Sequence, residues 1–393
     1  MIFDISFGPD TIVLLCISFM GLIISSAYGL TAYIKAYSFT NTPLPSPETK
    51  CPRASVLIYC QTNEEILENT LDQLAAQNYP DYEVIVVCDA SAEYAEMLNE
   101  RFSKLYTDVY VTFVQPGSHN LSRRKLAITI GTKAAKGEII VSTVANIQIP
   151  SENWLSEIMA PFCGEKGKYK DVVLGLAKIN FENLHGFGKW YRQFDTVLSD
   201  ALWIGYAAMG EPYRGNAYNL AFRKETFFKH KGFAKTINLH YGDDDLFVNE
   251  ISSASNTVPV VSDNSIITTE WGKSGNRVWS ILKERYSFTS RWLPTAPFLR
   301  SAIQMLLQWL VPVSAFVAAW IGWPNILPAI IALIITLLFW AMQIKVYRKL
   351  AERFGTVKLW WAVVPFYMWR PIANSFFKYD HRHSRKKNFT WQR

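Results

Sequence analysis

Three adjacent aspartates, Asp243, Asp244 and Asp245, lie between a glycine and an apolar Leu-Phe-Val stretch. Neighbouring carboxylates raise one another's pKa because each charge disfavours the next, and a raised pKa suits proton transfer near neutral pH. Acidic residues also favour the first turn of any helix, so a helix start is the alternative explanation. Three in a row exceed what a helix start needs, and the cluster is therefore a candidate site of acid-base chemistry.

Further polar side chains come directly after apolar stretches that are typical of buried strands. Asn63 and Glu64 follow one such stretch, Asp89 follows the next, and Asn146 follows a third. Each would suit a helix cap at a strand-to-helix turn, which is the alternative to a binding role.

The segments that must position these side chains alternate between strand and helix patterns. Strands are predicted over Ala54–Cys60, Tyr82–Cys88, Val109–Phe113 and Glu138–Ser142, and helical spacing occurs over Asn63–Gln77, Arg101–Tyr106 and Ser122–Lys136. Such alternation predicts an α/β domain with a mostly parallel sheet. Ligands in such sheets bind beyond the carboxyl ends of the strands, where the polar residues lie.

Cations begin the helix Ser122–Lys136. Arg124, which fits best, and Lys125 are candidates to bind an anionic group such as a diphosphate, since guanidinium and ammonium groups pair with phosphate. A solvated basic turn is the alternative.

These motifs together resemble a family 2 glycosyltransferase, which is inverting, uses sugar nucleotides and has the GT-A fold. Gln77-Asn78-Tyr79-Pro80 and the run Glu83–Ser91 are very similar to a motif of that family. The resemblance implies that the turn after the first strand holds the base and ribose and that Asp89 contacts the base. It also implies that the acidic cluster supplies the general base, with Asp244 as our first choice and Asp243 as our second.

Two later stretches extend the resemblance. Gly215 begins a Gly-Asn-Ala-Tyr-Asn sequence like the family's acceptor-side motif, and a glycine there would allow close backbone approach to the sugar. Lys283 and Arg285 fall where the family has Gln-X-X-Arg-Trp, with Phe288–Trp292 as a rival register, and would hold the leaving diphosphate. A membrane-facing basic helix is the alternative.

The family's metal-binding Asp-X-Asp turn is replaced here by Val144-Ala145-Asn146. Hard cations such as Mg²⁺ or Mn²⁺ need oxygen ligands, and Val144 offers none. Three interpretations follow: a catalytically inactive relative, sugar-nucleotide binding without metal through Arg or Lys, or a weak metal site at Asp89 and Asn146.

The two ends of the chain are apolar. The segments Thr11–Tyr33, Ser301–Trp320 and Ile326–Ile344 are each about long enough to cross a bilayer, which takes roughly 20 residues. Val357–Phe377 mixes tryptophans with arginine and proline, which is typical of an interfacial or re-entrant helix. Basic residues after the first and third segments predict a cytoplasmic soluble domain.

Charge and cysteine content exclude some classes of protein. The net charge of +7 is partly concentrated in the tail Lys378–Arg393, directly after apolar segments, so we expect membrane contact rather than nucleic-acid binding. The five cysteines include no Cys-X-X-Cys pair, which predicts a reducing compartment and no structural zinc.

The sequence thus predicts five segments: an N-terminal transmembrane helix (1–39), a linker (40–52), a GT-A-like domain (53–294), a transmembrane hairpin (295–346) and an interfacial or re-entrant helix with a basic tail (347–393). We expect a multi-pass protein of a bacterial inner membrane. It would transfer a sugar from a nucleotide-diphosphate sugar to a membrane-lipid or growing-glycan acceptor. The alternative is an inactive glycosyltransferase-like subunit that binds a partner membrane glycosyltransferase or a glycan.

Overall fold

A computed structural model describes residues 7–46, 48–61, 64–115, 121–164, 169–182, 184–186 and 188–384. The chain divides into two compact units. One consists of residues 1–38, 190–205 and 294–379, and the other of residues 39–189, 206–293 and 380–393.

The second unit contains a sheet of seven strands within the described residues, in the order β3-β2-β1-β4-β8-β6-β9. The first half, β3 to β4, is parallel, β8 runs antiparallel to both of its neighbours, and β6 and β9 are parallel. A smaller sheet has the order β5-β10-β7. The strands are β1 Ala54–Cys60, β2 Tyr82–Cys88, β3 Val109–Phe113, β4 Ile139–Val144, β5 Ile147–Gln148, β6 Val172–Gly175, β7 Ala177–Ile179, β8 Leu220–Arg223, β9 Thr257–Val260 and β10 Ile267–Thr269.

The helices alternate with these strands and then continue into a helical C-terminal part. They are α1 Pro9–Ile24, α2 Thr31–Ser38, α3 Glu64–Ala75, α4 Ala92–Leu105, α5 Arg123–Ala134, α6 Trp154–Met159, α7 Gly188–Ala208, α8 Lys224–Lys229, α9 Asp245–Ile251, α10 Gly275–Thr289, α11 Thr295–Ile321, α12 Ile326–Arg353 and α13 Val363–Ser384. A π-helical turn, Ser25–Gly29, separates α1 from α2.

Strands β1 and β4 are buried along their whole length, as continuous apolar runs in a parallel sheet require. Leu67, Leu71 and Leu74 of α3 recur at helical spacing and join the same core. The predicted α/β fold with a mostly parallel sheet is therefore confirmed.

Three helical segments within the described residues are long and apolar enough to cross a membrane: Pro9–Gly29, Thr295–Ile321 and Ile326–Arg353. These are the three predicted segments, but α11 and α12 extend beyond the predicted bounds. The fourth predicted segment forms the short turn Trp360–Ala362 and α13, which is not among them. The tail beyond residue 384 lies outside the described residues.

The prediction of reduced cysteines is wrong for one pair. Cys51 and Cys163 form a disulfide that closes a loop with a sequence separation of 112 residues. Cys51 precedes β1 and Cys163 follows the helical turn after α6, so the bond joins two segments that the sequence does not relate. Cys16, Cys60 and Cys88 are not part of a disulfide.

Candidate functional site

The acidic cluster lies at the start of α9, as the helix-start explanation requires. Asp244 caps this helix, since its Oδ1 accepts a hydrogen bond from the Asp245 backbone N–H at 2.9 Å. All three carboxylates are buried. Buried charges persist only with partners, so the cluster does more than cap a short helix.

Arg285 supplies part of the compensating charge. Its Nη2 donates to Asp243 Oδ1 at 2.9 Å and to Asp244 Oδ2 at 3.2 Å. Arg285 is itself buried, on α10, so this is a desolvated ion-pair network. The structure thus brings together two residues that the resemblance assigned to different roles, the diphosphate and the base.

Arg124 approaches Asp243 from the other side. Its Nε lies 2.7 Å from Asp243 Oδ2, and its Nη2 donates to the carbonyl of Ala217 at 3.0 Å. The guanidinium also lies over the Tyr218 ring, 4.6 Å from the centroid. Two guanidinium groups therefore share one carboxylate. Burial works to raise the pKa of Asp243, but Arg285 and Arg124 hold that pKa below its usual value.

Asp245 has a different environment from that of Asp243. Its Oδ2 accepts a hydrogen bond from Thr289 Oγ1 and lies 3.8 Å from Arg214 Nη2. Burial, together with the neighbouring charge of Asp244, raises the pKa of Asp245 to about 7. The pKa values of Asp243 and Asp245 are thus shifted in opposite directions, which is typical of sites that handle protons.

Arg214 was not among the residues predicted from the sequence. It is buried, and its guanidinium lies 3.9 Å from the centroid of the Tyr286 ring. Its position next to Gly215 in the predicted acceptor-side motif was the signal that could have identified it.

Asp89 forms a second polar group at the carboxyl end of β2. Its Oδ1 accepts from Arg123 Nε at 2.5 Å, and its Oδ2 accepts from Tyr59 at 2.8 Å and from Gln61 at 3.0 Å. Partial burial opposes the charge, but these donors, Arg123 first, hold the pKa of Asp89 below its usual value. Arg123 was also missed by the sequence analysis.

Tyr59 connects the two groups. While its hydroxyl donates to Asp89, its ring lies 5.8 Å from the guanidinium carbon of Arg124. The carboxyl ends of β1 and β2, the start of α5 and the acidic loop therefore form one continuous polar site, as ligand sites in parallel sheets do.

Several predicted binding residues have structural partners instead. Lys125 is buried, and its Nζ donates to the carbonyls of Thr236, Leu239 and Tyr241 at 2.6, 3.2 and 2.8 Å. Burial lowers the pKa of Lys125 to about 8. Its donors are thus engaged by backbone carbonyls, and a role of Lys125 at the diphosphate stays a prediction.

Gly215 has a packing role. A Cβ at this position would lie 3.0 Å from Val248 Cγ2 and 3.1 Å from Leu174 Cδ2. The glycine therefore lets α9 approach β6, and the sugar-approach prediction does not account for it.

Two further predicted residues have contacts with other partners. Glu64 pairs with Arg101 at 2.7 Å between α3 and α4. Lys283 is half-buried on α10, with its Nζ 5.9 Å from the Trp279 centroid. Asn63 lies outside the described residues.

The Val144-Ala145-Asn146 turn is buried and committed to protein contacts. Asn146 Nδ2 donates to the carbonyl of Glu270 at 2.7 Å, and the Asn146 carbonyl accepts from Glu270 N–H at 2.9 Å. The carbonyl of Ala145 accepts from Thr70 Oγ1. The turn thus links β4 to β5 and holds β5 against the segment after β10.

These side chains do not fit an Mg²⁺ or Mn²⁺ site. Val144 has no donor, Asn146 has one neutral oxygen, and both oxygens of Asp89 accept from Arg123, Tyr59 and Gln61. Over the described ranges, no three histidine, cysteine or acidic side chains cluster so that they could hold a metal. The weak-metal interpretation at Asp89 and Asn146 is therefore disfavoured by the donor set.

Comparison with known proteins agrees with the observed α/β fold. Residues 55–202 match the model of glycosyl transferase family 2. A structure of the Pyrobaculum calidifontis mannosyltransferase PcManGT, in complex with GDP-Man and Mn²⁺, is similar with a TM-score of 0.53 and 18% identity. The similarity covers 93% of this chain and 99% of that chain, and shows a shared GT-A fold.

Staphylococcus aureus TarS, residues 1–349 with UDP-GlcNAc, is more distant, with a TM-score of 0.40 and 13% identity over 85% of this chain and 92% of that chain. No curated protein sequence matches this chain.

Proposed function

We propose that the chain binds a nucleotide-diphosphate sugar and transfers the sugar to a hydroxyl acceptor, because residues 55–202 match the model of glycosyl transferase family 2. The observation that carries this proposal is the buried group in which Arg124 and Arg285 both contact Asp243 and Arg285 also contacts Asp244. It joins cations suited to a diphosphate with carboxylates suited to a base.

The two arginines take the place of the metal charges. A diphosphate presents anionic oxygens that guanidinium groups bind in bidentate fashion, and Arg124 and Arg285 are pre-positioned by their contacts with Asp243. On donor binding, the diphosphate competes with the carboxylates for these cations. This exchange stabilises the leaving diphosphate. It also makes the carboxylates of the acidic cluster more basic, because they lose part of their pairing with the arginines.

Asp244 acts as the base, with Asp243 as second choice. It removes the proton of the acceptor hydroxyl while the oxygen bonds to the anomeric carbon from the face opposite the diphosphate. The bond between that carbon and the diphosphate oxygen breaks in the same step, and the configuration inverts. Asp89, with Arg123 and Gln61, contacts the base or ribose of the nucleotide.

The acceptor is a lipid-linked or growing glycan, because the chain carries three helices suited to a membrane. The basic residues that follow the first and third apolar segments favour the cytoplasmic side of a bacterial inner membrane for the catalytic domain. The Cys51–Cys163 disulfide favours an oxidising compartment instead, so its presence in the purified protein tests this placement.

A second candidate is a non-catalytic subunit that binds a partner membrane glycosyltransferase or a glycan. The observation that favours it is the turn at residues 144–146, where both Asp-X-Asp carboxylates are absent and the backbone is bonded to Glu270 and Thr70. In this case Arg124 and Arg285 serve only to neutralise Asp243 and Asp244.

Thermal stabilisation by nucleotide sugars tests the first candidate. The detergent-purified full chain is heated with UDP-, GDP- and CDP-sugars, each with Mn²⁺, Mg²⁺ or EDTA. A donor at 100 times its dissociation constant adds about 2.7 kcal/mol to the free energy of unfolding. We expect one donor class to stabilise the protein equally in EDTA, and no stabilisation by any donor would favour the second candidate.

Variants separate binding from chemistry. Arg124→Ala should abolish donor stabilisation, whereas Lys133→Ala, at an exposed position of the same helix, should preserve it. Asp244→Asn should bind the donor but release or transfer no sugar. If Asp244→Asn retained full transfer, the assignment of Asp244 as the base would be wrong. If the wild-type protein turned over no donor and the Asp244→Asn variant kept its biological function, the non-catalytic candidate would hold.

A further inference from the structure

Helix α12 is longer than the hydrocarbon core of a membrane requires. Its 28 residues extend about 42 Å at 1.5 Å per residue, whereas the core is about 30 Å thick. From Ile326 to Ile344 it carries no charged side chain, and Lys345 is the first. Its last two turns therefore reach the level of the lipid headgroups.

A surface pocket of about 570 Å³ lies along these turns. Four cationic side chains line it: Lys345, Arg348, Lys349 and Lys358. Ala341 and Ile344 line it as well, and they come earlier along the helix, toward the apolar part. The volume is in the range of small-molecule sites.

The pocket has an excess of positive charge. Glu352 is its one acidic lining residue, and it pairs with Lys349 at 3.3 Å and with Lys358 at 3.6 Å. In the part of the chain that the structure describes, Lys345 and Arg348 form no ion pair. Four cations and one carboxylate leave three positive charges uncompensated, which favours a multiply charged or phosphate-bearing anion.

Two tryptophans indicate the depth of this region in the membrane, independently of its charge. Trp360 and Trp361 follow Lys358 closely and expose 61% and 50% of their surface. Exposed tryptophans concentrate at the membrane–water interface, where the ring meets the acyl boundary and the N–H meets water. The pocket and these rings thus lie at one end of the same membrane helix.

We propose that this pocket binds the phosphate-bearing headgroup of an anionic membrane lipid. The phosphate contacts Arg348 and Lys345, Lys358 and Lys349 give up part of their contact with Glu352, and the start of the acyl region lies against Ala341 and Ile344. This role is independent of sugar transfer, and it differs from general attraction of basic residues to an anionic surface because it is saturable and limited to one lipid per chain.

Native mass spectrometry of the full chain in neutral detergent tests the proposal. Short-chain phosphatidic acid is titrated against short-chain phosphatidylcholine and against inorganic phosphate. We expect one phosphatidic acid to bind per chain, with at least tenfold weaker binding of phosphatidylcholine and of inorganic phosphate.

The variant Arg348→Gln/Lys358→Gln should weaken phosphatidic acid binding at least tenfold. The matched control, Lys35→Gln/Lys50→Gln, removes the same number of exposed positive charges, but outside the pocket. This control should change the affinity for phosphatidic acid less than twofold. The two double variants should have similar unfolding temperatures without lipid, which would show that weaker lipid binding does not result from a loss of folding.

Three results would overturn the proposal. Absence of a saturable lipid adduct would exclude a site. Equal weakening in both double variants would show bulk charge attraction. Inorganic phosphate binding as tightly as the lipid would make the pocket a site for a free anion.

Discussion

Arg285 Nη2 lies 2.9 Å from Asp243 Oδ1, although the two residues are 42 positions apart in the sequence. Arg124 holds the other oxygen of the same carboxylate at 2.7 Å. A buried carboxylate that a buried and a partly buried guanidinium group share is fixed in place, and so are the two cations. The site is therefore organised before any substrate arrives, and the charges that a diphosphate would need are already present.

Removal of Arg285 should strongly destabilise the fold. Arg285→Ala leaves Asp243 and Asp244 buried with less compensating charge, and breaking a buried ion pair in this way costs about 3–5 kcal/mol. Thermal or urea unfolding of the purified protein measures the loss. Lys283→Ala, on the same helix but half-buried, should cost less than about 1 kcal/mol. Equal losses in the two variants would mean that the network contributes no more than an ordinary contact.

The raised pKa of Asp245 should make stability depend on pH. The folded chain keeps the Asp245 proton up to pH about 7, whereas the unfolded chain loses it near pH 3.9. Between these values the folded state binds more protons, so the free energy of unfolding falls as pH rises, by at most about 4 kcal/mol. Asp244, Arg214 and Arg285 face this carboxyl group and set the size of the effect.

Asp245→Asn isolates that contribution. The difference in unfolding free energy, wild type minus variant, should be largest near pH 4, decline through pH 5 and 6, and level off above pH 7. Chemical unfolding at several pH values measures it. A difference that rises with pH would show that Asp245 is ionised in the folded protein at pH 4.

Gly205 should tolerate no side chain. A Cβ at this position of α7 would lie 1.9 Å from the carbonyl oxygen of Ala32 on α2. A backbone atom cannot rotate away from this clash as a flexible side chain could. Gly205→Ala should therefore lower the free energy of unfolding by about 1–3 kcal/mol or more, since the two helices must separate. Gly8→Ala is the control, because a Cβ there meets nothing within 4 Å. Similar unfolding temperatures for the two variants in detergent would refute this close helix contact.

The Cys51–Cys163 bond should contribute to stability in proportion to the long loop that it closes. Reduction of a disulfide that closes a loop of this size lowers the free energy of unfolding by about 4–5 kcal/mol, because the unfolded chain gains conformational entropy. Thermal unfolding with and without a reductant should show the loss in the wild type and in Cys16→Ser, but not in Cys51→Ser. Full alkylation of five thiols in freshly purified, unreduced protein would restore the original expectation of a reducing compartment.

The sequence predicts the first half of the sheet well because its strands have five to seven residues and are mostly apolar or β-branched. The bounds predicted for β1, β2 and β3 are those of the structure. The later strands have two to four residues each, which is too short for a hydrophobic period to stand out. The disulfide was missed because nothing local connects residues 51 and 163.

Within the site, the residue types were predicted better than their contacts. Arg123, Arg124 and Lys125 are consecutive, and successive side chains on a helix point about 100° apart. One therefore binds Asp89, the next binds Asp243, and the third is buried against backbone carbonyls. A local basic run could not distinguish these three roles, because the partners come from distant segments.

The hydrogen bonds of the Val144-Ala145-Asn146 turn disfavour an acidic side chain at either end of the turn. An aspartate at 146 would present a carboxylate to the Glu270 carbonyl where an amide N–H now donates, and one at 144 would bury a charge among apolar neighbours. Each single substitution to aspartate should therefore lower the free energy of unfolding. The same bonds that join this turn to the segment after β10 thus set which side chains the turn can carry.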